Sequence, residues 1–247
     1  MRITILTLFP KMFDSVLATS ILKRSIDRGL VTVDFVQIRD FAYDTYKHID
    51  DKPFGGGAGM IMKCQPVLDA LSSVRKGTTW CVQMTPAGKP YTQTKAHEFA
   101  GKEHLLLLCG HYEGMDARIS HHMDEEISIG DYILTGGELA AMVVMDSVVR
   151  LLKGAIKEES SIDESYEGGL LEYPQYTQPA DYKGDCVPPV LLSGNHAQIA
   201  TWRRKEALRL TKERRPDLFA RQSLSAKDKA LIKDPDNWEA ISRKKWK

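Results

Sequence analysis

The sequence has few of the residues from which disulfide scaffolds, metal centres and membrane spans are built. Cys64, Cys81, Cys109 and Cys186 lack the spacing of a disulfide framework or a zinc site, and the seven histidines show no ligand spacing either. No apolar run reaches the ~20 residues that a membrane helix needs, and the chain begins without a signal-peptide pattern. The composition therefore predicts a cytoplasmic protein with reduced core cysteines and no membrane partner.

A strong net charge is also missing, but the charge is unevenly distributed. Residues 196–247 hold 15 Lys and Arg against 7 Asp and Glu, a net charge of +8. Residues 1–195 hold 19 against 26, a net charge of −7. A basic segment on an acidic body indicates a polyanionic partner such as nucleic acid, although a Lys-rich solvated helical bundle would show the same pattern.

Short apolar segments alternate with helical periodicity in the first part of the chain. Strands are predicted at Arg2–Phe9, Val31–Ile38, Trp80–Met84, His104–Leu108 and Glu126–Ser128. Helices are predicted at Phe13–Arg28, Gln65–Ser73, Tyr91–Phe99, Asp116–His121 and Leu139–Leu152. This alternation is typical of an α/β domain with a largely parallel sheet, in which ligands bind at the carboxyl ends of the strands.

The pattern changes after Gly154. Ala155–Gly169 is polar and acidic, as expected of a mobile linker. A basic helix is predicted at Asn195–Thr211, with Pro216 ending it, and two shorter helices at Ala226–Lys233 and Trp238–Trp246.

Two glycine-rich loops follow apolar runs. They are Cys109–Asp116 (CGHYEGMD) and Ile127–Leu139 (ISIGDYILTGGEL). Glycine permits a positive φ and a close backbone approach to a ligand, so such loops after strands favour a small-molecule cradle. Taken alone, the glycines are equally compatible with ordinary turns.

Together with Asp50–Met60 (DDKPFGGGAGM), these loops resemble the bacterial tRNA guanine-N1 methyltransferases of the TrmD family. The similarity includes three further motifs: Thr7–Phe13 (TLFPKMF), Gly169–Thr177 (GLLEYPQYT) and Val187–Gly194 (VPPVLLSG). It runs in order from Met1 to about Phe219. Several long motifs in one order are far more specific than a single glycine loop.

The resemblance implies an α/β fold of the SPOUT class: a mostly parallel sheet with a C-terminal trefoil knot, plus a small α-helical C-terminal domain. The expected domains are a methyltransferase domain at 1–154, a linker carrying the catalytic acid at 155–169, and a helical tRNA-binding domain at 170–247. The family is homodimeric, with active sites shared between subunits.

The implied cofactor is S-adenosylmethionine. Matching the family's cofactor loops assigns its binding to Thr85, Pro86, Gly110, Ile129, Gly130, Asp131, Tyr132, Ile133, Leu134, Gly136 and Gly137. The family's reaction also uses Mg²⁺, but no ligand cluster stands out in the sequence, so the metal ligands are left unassigned.

Methylation of guanine N1 requires removal of the N1 proton and stabilisation of the charge that spreads onto O6. By alignment on Gly169, the family's linker acid corresponds to Glu164, with Asp163 as a rival. The family usually has Asp there, so Glu164 is a departure. Arg150 matches the catalytic arginine, whose guanidinium suits an oxyanion, whereas a lone Arg at a helix end is commonly only a dipole partner.

The resemblance also implies tRNA contacts. They are assigned to Glu113, beside the target base, and to Ser165, Arg203, Arg204, Lys205, Arg209, Arg214 and Arg215. Trp202 is expected in the core rather than as a stacking platform. Three milder departures from the family pattern are Ala58, His111 and Gln178, of which the last two weaken some expected tRNA or linker contacts.

The sequence thus predicts an S-adenosylmethionine-dependent enzyme that methylates guanine N1 at tRNA position 37, beside the anticodon. Two alternatives remain at this point: a related knotted methyltransferase acting on another RNA site, and a non-catalytic RNA-binding protein.

Overall fold

The computed structural model describes residues 1–156 and 164–233. The chain divides into two compact units, Met1–Glu158 and Glu159–Lys247. The middle of the predicted linker and the predicted helix Trp238–Trp246 lie outside the described residues.

The first unit is built on a five-stranded sheet whose strands all run parallel. Its order is β2-β1-β6-β5-β7, so β6, the fourth of the five along the chain, lies at the centre. The strands are β1 (Arg2–Thr7), β2 (Thr32–Gln37), β5 (Thr79–Pro90), β6 (His104–Cys109) and β7 (Glu125–Ser128). Two short strands, β3 (Asp50–Asp51) and β4 (Ile61–Met62), form a separate hairpin.

Both faces of this sheet are covered, and the side chains of successive residues in β6 lie on opposite faces. Leu105 and Leu107 belong to one apolar cluster, while Leu106 and Leu108 belong to the other. All four side chains are fully buried. A continuous apolar run is what a central parallel strand requires, because side chains alternate between two covered faces.

Helices flank the sheet, and one of them has a side-chain cap at its start. The first-unit helices are α1 (Asp14–Leu17), α2 (Ser20–Asp27), α3 (Cys64–Val74), α4 (Gln93–Ala100) and α5 (Glu138–Val149). The Thr92 hydroxyl caps α4 by accepting from the Lys95 amide. Helix α5 is buried on most sides, which explains its almost uniformly apolar sequence.

Some predicted elements were wrong in detail. The predicted helix Phe13–Arg28 is broken, because Thr19 is extended and Ser20 takes a positive φ of 54°. The helix predicted at Asp116–His121 is present one residue later, as a 3₁₀ helix at Ala117–His122. The cysteines are free as predicted, but Cys186 is exposed and only Cys81 and Cys109 are buried.

A buried histidine ties three strands together at the amino edge of the sheet. The ring of His104 in β6 bonds Thr4 of β1 through Nε2 and Thr79 of β5 through Nδ1, both at 2.8 Å. Burial, reinforced by the charges of Arg2 and Lys76, lowers the pKa of His104. The folded protein therefore keeps this ring neutral to a lower pH than the unfolded chain does.

We expect the free energy of unfolding to fall as the pH drops below about 6.5, the ordinary pKa of histidine, because the unfolded chain then binds a proton that the folded His104 resists. Denaturant unfolding at pH 7.5 and 5.5 measures this loss. The His104→Gln variant should lose less stability between the two pH values than the natural protein. Equal losses would show that other groups carry the dependence.

The second unit is mainly helical. It contains α6 (Pro189–Leu192), α7 (His196–Arg214), α8 (Pro216–Phe219), α9 (Ala226–Lys233) and a hairpin of β8 (Asp181–Tyr182) and β9 (Asp185–Cys186). Asn195, predicted as the first helical residue, caps α7 instead, and the helix continues to Arg214, three residues past its predicted end. Pro216 follows that end, as predicted.

The core of the second unit extends back to the end of the predicted linker. Leu170 packs with Ala207 and Leu208 of α7, and the Leu171 amide donates to the Thr211 hydroxyl at 2.8 Å. Trp202 is buried, which confirms that it belongs to the core.

Candidate active site at the carboxyl edge of the sheet

Three of the loops predicted to bind the cofactor lie side by side. They leave the carboxyl halves of β6, β5 and β7, which are neighbours in the sheet. Thr85 and Pro86 follow Met84, Gly110 follows Cys109, and the segment Ile129–Leu134 follows Ser128. The carboxyl edge of a parallel sheet is where such folds bind ligands.

The first loop is an excursion within β5. Ile127 of β7 pairs with Met84 and again with Lys89, so residues 85–88 leave the ladder and return to it. At the return, a Cβ on Gly88 would lie 2.4 Å from the amide nitrogen of Ile127. Glycine is required there because the two backbones touch.

The second loop is joined to the start of α5. The Gly137 amide donates to the Gly110 carbonyl at 2.8 Å, and His111 forms a bridge with Gly136. A Cβ on Gly137 would lie 2.8 Å from Cα of Cys109. Gly136 and Gly137 therefore form a wall directly against the end of β6.

The third loop presents apolar side chains to solvent. Gly130 has a φ of 153°, and the Tyr132 ring lies so close that a Cβ on Gly130 would meet it at 2.4 Å. Tyr132 is more than half exposed and Ile133 is 79% exposed. Both side chains are therefore accessible to a ligand at this edge of the sheet.

A buried polar pair that sequence reasoning missed lies beneath these loops. Glu138, the first residue of α5, is only 1% exposed, and the Thr7 hydroxyl at the end of β1 donates to its Oε1 at 2.7 Å. Burial, and then the charge of Glu138, raise the pKa of the Cys109 thiol. The only sequence signal was an acid directly after Gly136 and Gly137.

Glu113 is held by the glycine-rich segment between β3 and β4. Its amide donates to the Met60 carbonyl at 3.0 Å, and Gly59 faces its side chain, since a Cβ on Gly59 would lie 2.3 Å from Cγ. Phe54, in the same segment, is fully exposed. The resemblance assigns a role to Glu113 but to no residue of this segment, although the run of glycines at 55–57 is evident in the sequence.

Arg150 lies at the opposite end of α5 from the loops. It is the C-terminal cap of a 12-residue helix that begins after Gly137. At 1.5 Å per residue, Arg150 is about 20 Å along the helix axis from Gly137 of the glycine wall. Arg150 is therefore distant from the Gly136–Gly137 wall of its own chain.

Glu164 and Ser165 belong to the second unit. The Glu164 carbonyl accepts from the Glu167 amide at 3.2 Å, and the Ser165 hydroxyl accepts from the Glu172 amide at 2.9 Å. These bonds place Glu164 in an ordered turn that precedes Leu170. Asp163, the rival for the catalytic base, lies outside the described residues.

The basic residues of the second unit fall into two groups. Arg204, Arg209 and Arg215 donate to acids of the same unit: Asp228 at 2.8 Å, Glu206 at 2.7 Å and Asp217 at 2.7 Å. Arg203 and Arg214 are exposed on α7, and the Arg203 guanidinium lies over the Tyr173 ring at 4.8 Å. Lys205, also on α7, is half-buried.

Within residues 1–156 and 164–233, no group of three or more His, Cys, Asp or Glu side chains is placed to hold a metal ion. In the same residues, no helix is long and apolar enough to cross a membrane.

The similarity of this chain to known proteins covers nearly its whole length. The family model described as tRNA (Guanine-1)-methyltransferase TrmD matches residues 1–221. Relatives named tRNA (guanine-N(1)-)-methyltransferase include those of Geobacillus kaustophilus, 54% identical over 97% of this chain and 98% of the relative, and Anoxybacillus flavithermus, 53% identical over 98% and 100%. The protein of Listeria monocytogenes is 49% identical over 95% and 98%. The chain therefore belongs to the TrmD family of tRNA (guanine-1)-methyltransferases.

Proposed function

We propose that this protein transfers the methyl group of S-adenosylmethionine to N1 of guanine at position 37 of tRNA. The observation that carries the proposal is the family match over residues 1–221, which includes every glycine loop gathered at the carboxyl edge of the sheet. The high identity to named guanine-N1 methyltransferases over nearly full length supports the same reaction.

The carboxyl-edge loops fit an adenosyl ligand. The loops beginning at Thr85, Gly110 and Ile129 offer main-chain amides and carbonyls beside apolar side chains, and the Gly136–Gly137 wall is too tight for any side chain. Such a surface recognises base edges and excludes water. When bound there, S-adenosylmethionine supplies an electrophilic methyl group.

We also propose that the first unit contains the trefoil knot of the SPOUT fold. Threading one segment beneath another requires backbones to pass at contact distance. The approach of Gly137, at the start of α5, to Cys109, at the end of β6, is a contact of this kind and supports a threaded chain.

We assign the chemistry to three side chains. Glu164 accepts the N1 proton as the general base. Arg150, always charged, stabilises the negative charge that develops on O6. Glu113, held beneath the glycine segment at Gly59, accepts a hydrogen bond from the guanine edge. We assign neither ligands nor a catalytic step to the Mg²⁺ that the family uses.

Each active site is proposed to combine residues from two subunits of a homodimer. Arg150 lies about 20 Å along α5 from the cofactor wall of its own chain, which supports its contribution to the site of a second subunit. Leu139 and Val143, one turn apart on α5, are each about half exposed, and Ile133 is exposed in the neighbouring loop. An apolar surface of this kind supports burial against a second copy.

Mixing two inactive variants is expected to restore activity. Gly130→Trp blocks the cofactor loop, and Glu164→Ala removes the base. In an equal mixture after subunit exchange, half of the dimers are mixed and each has one intact site, so about a quarter of the sites should work. Methyl transfer by the mixture measures this. If exchange is verified by mass and activity stays absent, each site is formed within one chain.

The second unit is proposed to bind tRNA through its exposed positive charge. Arg203 and Arg214 are the assigned arginines best placed to contact phosphates, because Arg204, Arg209 and Arg215 also hold the unit together through acids. The Arg204 guanidinium holds the pKa of Asp228 well below its usual range, and the Ser225 hydroxyl and amide, which also donate to this carboxylate, act in the same direction.

Arg203→Gln and Arg214→Gln are each expected to weaken tRNA binding and to reduce the slope of log K against log salt by about 1, the effect of one lost phosphate contact. Thermal stability should change little because, within the described residues, neither arginine forms an ion pair with an acid. Arg204→Gln is the control, expected to lower stability by breaking its pair with Asp228. Unchanged salt slopes for both exposed variants would place the tRNA elsewhere.

Mass analysis of a single tRNA after incubation with the protein and S-adenosylmethionine tests the proposed function directly. One added methyl on the guanine at position 37 is the expected result. A methyl elsewhere indicates a related methyltransferase, and no methyl with retained tRNA binding indicates a non-catalytic binding protein. We further propose that the protein acts in the cytoplasm, where tRNA is available.

A further inference from the structure

The buried pair formed by Thr7 and Glu138 has no role in the chemistry above, yet it lies against the proposed cofactor wall. Thr7 is the last residue of β1 and Glu138 the first of α5, and both side chains are buried. A buried carboxylate is costly unless it accepts hydrogen bonds. The hydrogen bond from Thr7 offsets part of this cost.

The direction of the hydrogen bond between the two residues is set by the backbone. The Phe9 amide donates to the Thr7 hydroxyl at 2.9 Å, and the hydroxyl in turn donates its single proton to Oε1 of Glu138 at 2.7 Å. A carboxylate accepting from a hydroxyl is among the stronger hydrogen bonds. The start of α5 is thereby fixed to the end of β1.

The other carboxylate oxygen faces the wall itself. A Cβ on Gly136 would lie 2.4 Å from Oε2 of Glu138 and 2.5 Å from Nδ1 of His111. Within the described part of the chain, this buried Nδ1 has no hydrogen-bond partner. The His111 ring packs on Phe9, with ring centres 4.9 Å apart. Contacts therefore enclose Gly136 from both sides.

We propose that Thr7 is a positioning residue for S-adenosylmethionine binding, acting through Glu138 on the Gly136–Gly137 wall. The inference rests on the proposed function for the identity of the ligand. With the hydroxyl present, the wall is held against Gly110 in the conformation that binds the ligand. Without it, Glu138 loses a donor, the start of α5 shifts, and the wall is no longer preorganised.

Thr7→Val is expected to weaken binding of S-adenosylmethionine and of S-adenosylhomocysteine equally, by roughly tenfold. Equal weakening is expected because a displaced wall affects the shared adenosyl group, not the methyl charge. Thr7→Ser keeps the hydroxyl and should restore the affinity. Titration calorimetry measures both ligands, and steady-state kinetics should show a higher KM for S-adenosylmethionine with an unchanged KM for tRNA.

Thr4→Val provides a matched control. Thr4 is equally buried on the same strand and is also hydrogen-bonded, but to His104 at the opposite edge of the sheet. This variant should lose thermal stability without losing affinity for either ligand. If Thr4→Val weakens binding as much as Thr7→Val does, the effect is general destabilisation and the inference is wrong.

Other outcomes are equally decisive. Affinity of Thr7→Val within twofold of the natural protein overturns the inference, as does weakening confined to S-adenosylmethionine, which would indicate a charge effect. If Thr7→Val does not fold, Glu138→Gln replaces it, with a loss of about threefold expected for both ligands. If the natural protein binds neither ligand, the proposed function itself fails.

Discussion

Replacing Glu164 with Gln is expected to reduce methyl transfer by about 10²- to 10⁴-fold, the usual contribution of a positioned general base. The amide has nearly the same shape but cannot accept the N1 proton of guanine. Binding of S-adenosylhomocysteine should remain unchanged, because the cofactor loops all belong to the first unit. Single-turnover methylation of tRNA and titration calorimetry give the two measurements.

Glu167→Gln is the control for this experiment. Glu167 lies in the same turn, where its amide donates to the Glu164 carbonyl. It should keep nearly normal single-turnover rates. If Glu164→Gln keeps near-normal rates and Asp163→Asn loses activity, Asp163 rather than Glu164 is the general base.

Gly137→Ala is expected to abolish measurable binding of S-adenosylmethionine and to lower the stability of the first unit. The added Cβ would lie 2.8 Å from Cα of Cys109 and 3.0 Å from the Gly110 amide nitrogen, both backbone atoms that cannot rotate away. Overpacking of this kind costs about 1–3 kcal/mol, and relief requires the wall to move. Calorimetric titration and thermal unfolding measure the two losses.

Gly77→Ala is the matched control, because a Cβ there meets nothing within 4 Å. It should leave both cofactor affinity and stability nearly unchanged. Tight ligand binding by a folded Gly137→Ala protein would show that the wall tolerates displacement, and that the Gly136–Gly137 segment is not part of the pocket.

The strands of the first unit were predictable because their signal is local. Arg2–Thr7 and His104–Cys109 are apolar runs of strand length, and alternation with helices already implied a parallel sheet. The break at Thr19 and Ser20 was not predictable, because it depends on backbone angles that the apolar periodicity of Phe13–Arg28 does not encode.

The candidate site was predictable only in part, and through resemblance. Motif matching located Gly110, Gly130 and Gly137 in loops after strands, and the structure places those loops side by side. It assigned nothing to Gly59 or Thr7, whose importance rests on contacts with Glu113 and Glu138. These partners are 54 and 131 residues away in the chain, beyond the reach of any local pattern.

By itself, the sequence determined the family, the α/β class, the residue types available for methyl transfer and the concentration of positive charge after residue 195. Tertiary structure decided the strand order β2-β1-β6-β5-β7, which arginines of α7 also hold the second unit together, and the separation of Arg150 from its own cofactor wall. The physical reason is that periodicity and motifs report on neighbours along the chain. Strand pairing, ion pairing and glycine contacts depend on which distant segments meet, and only the packed fold specifies that.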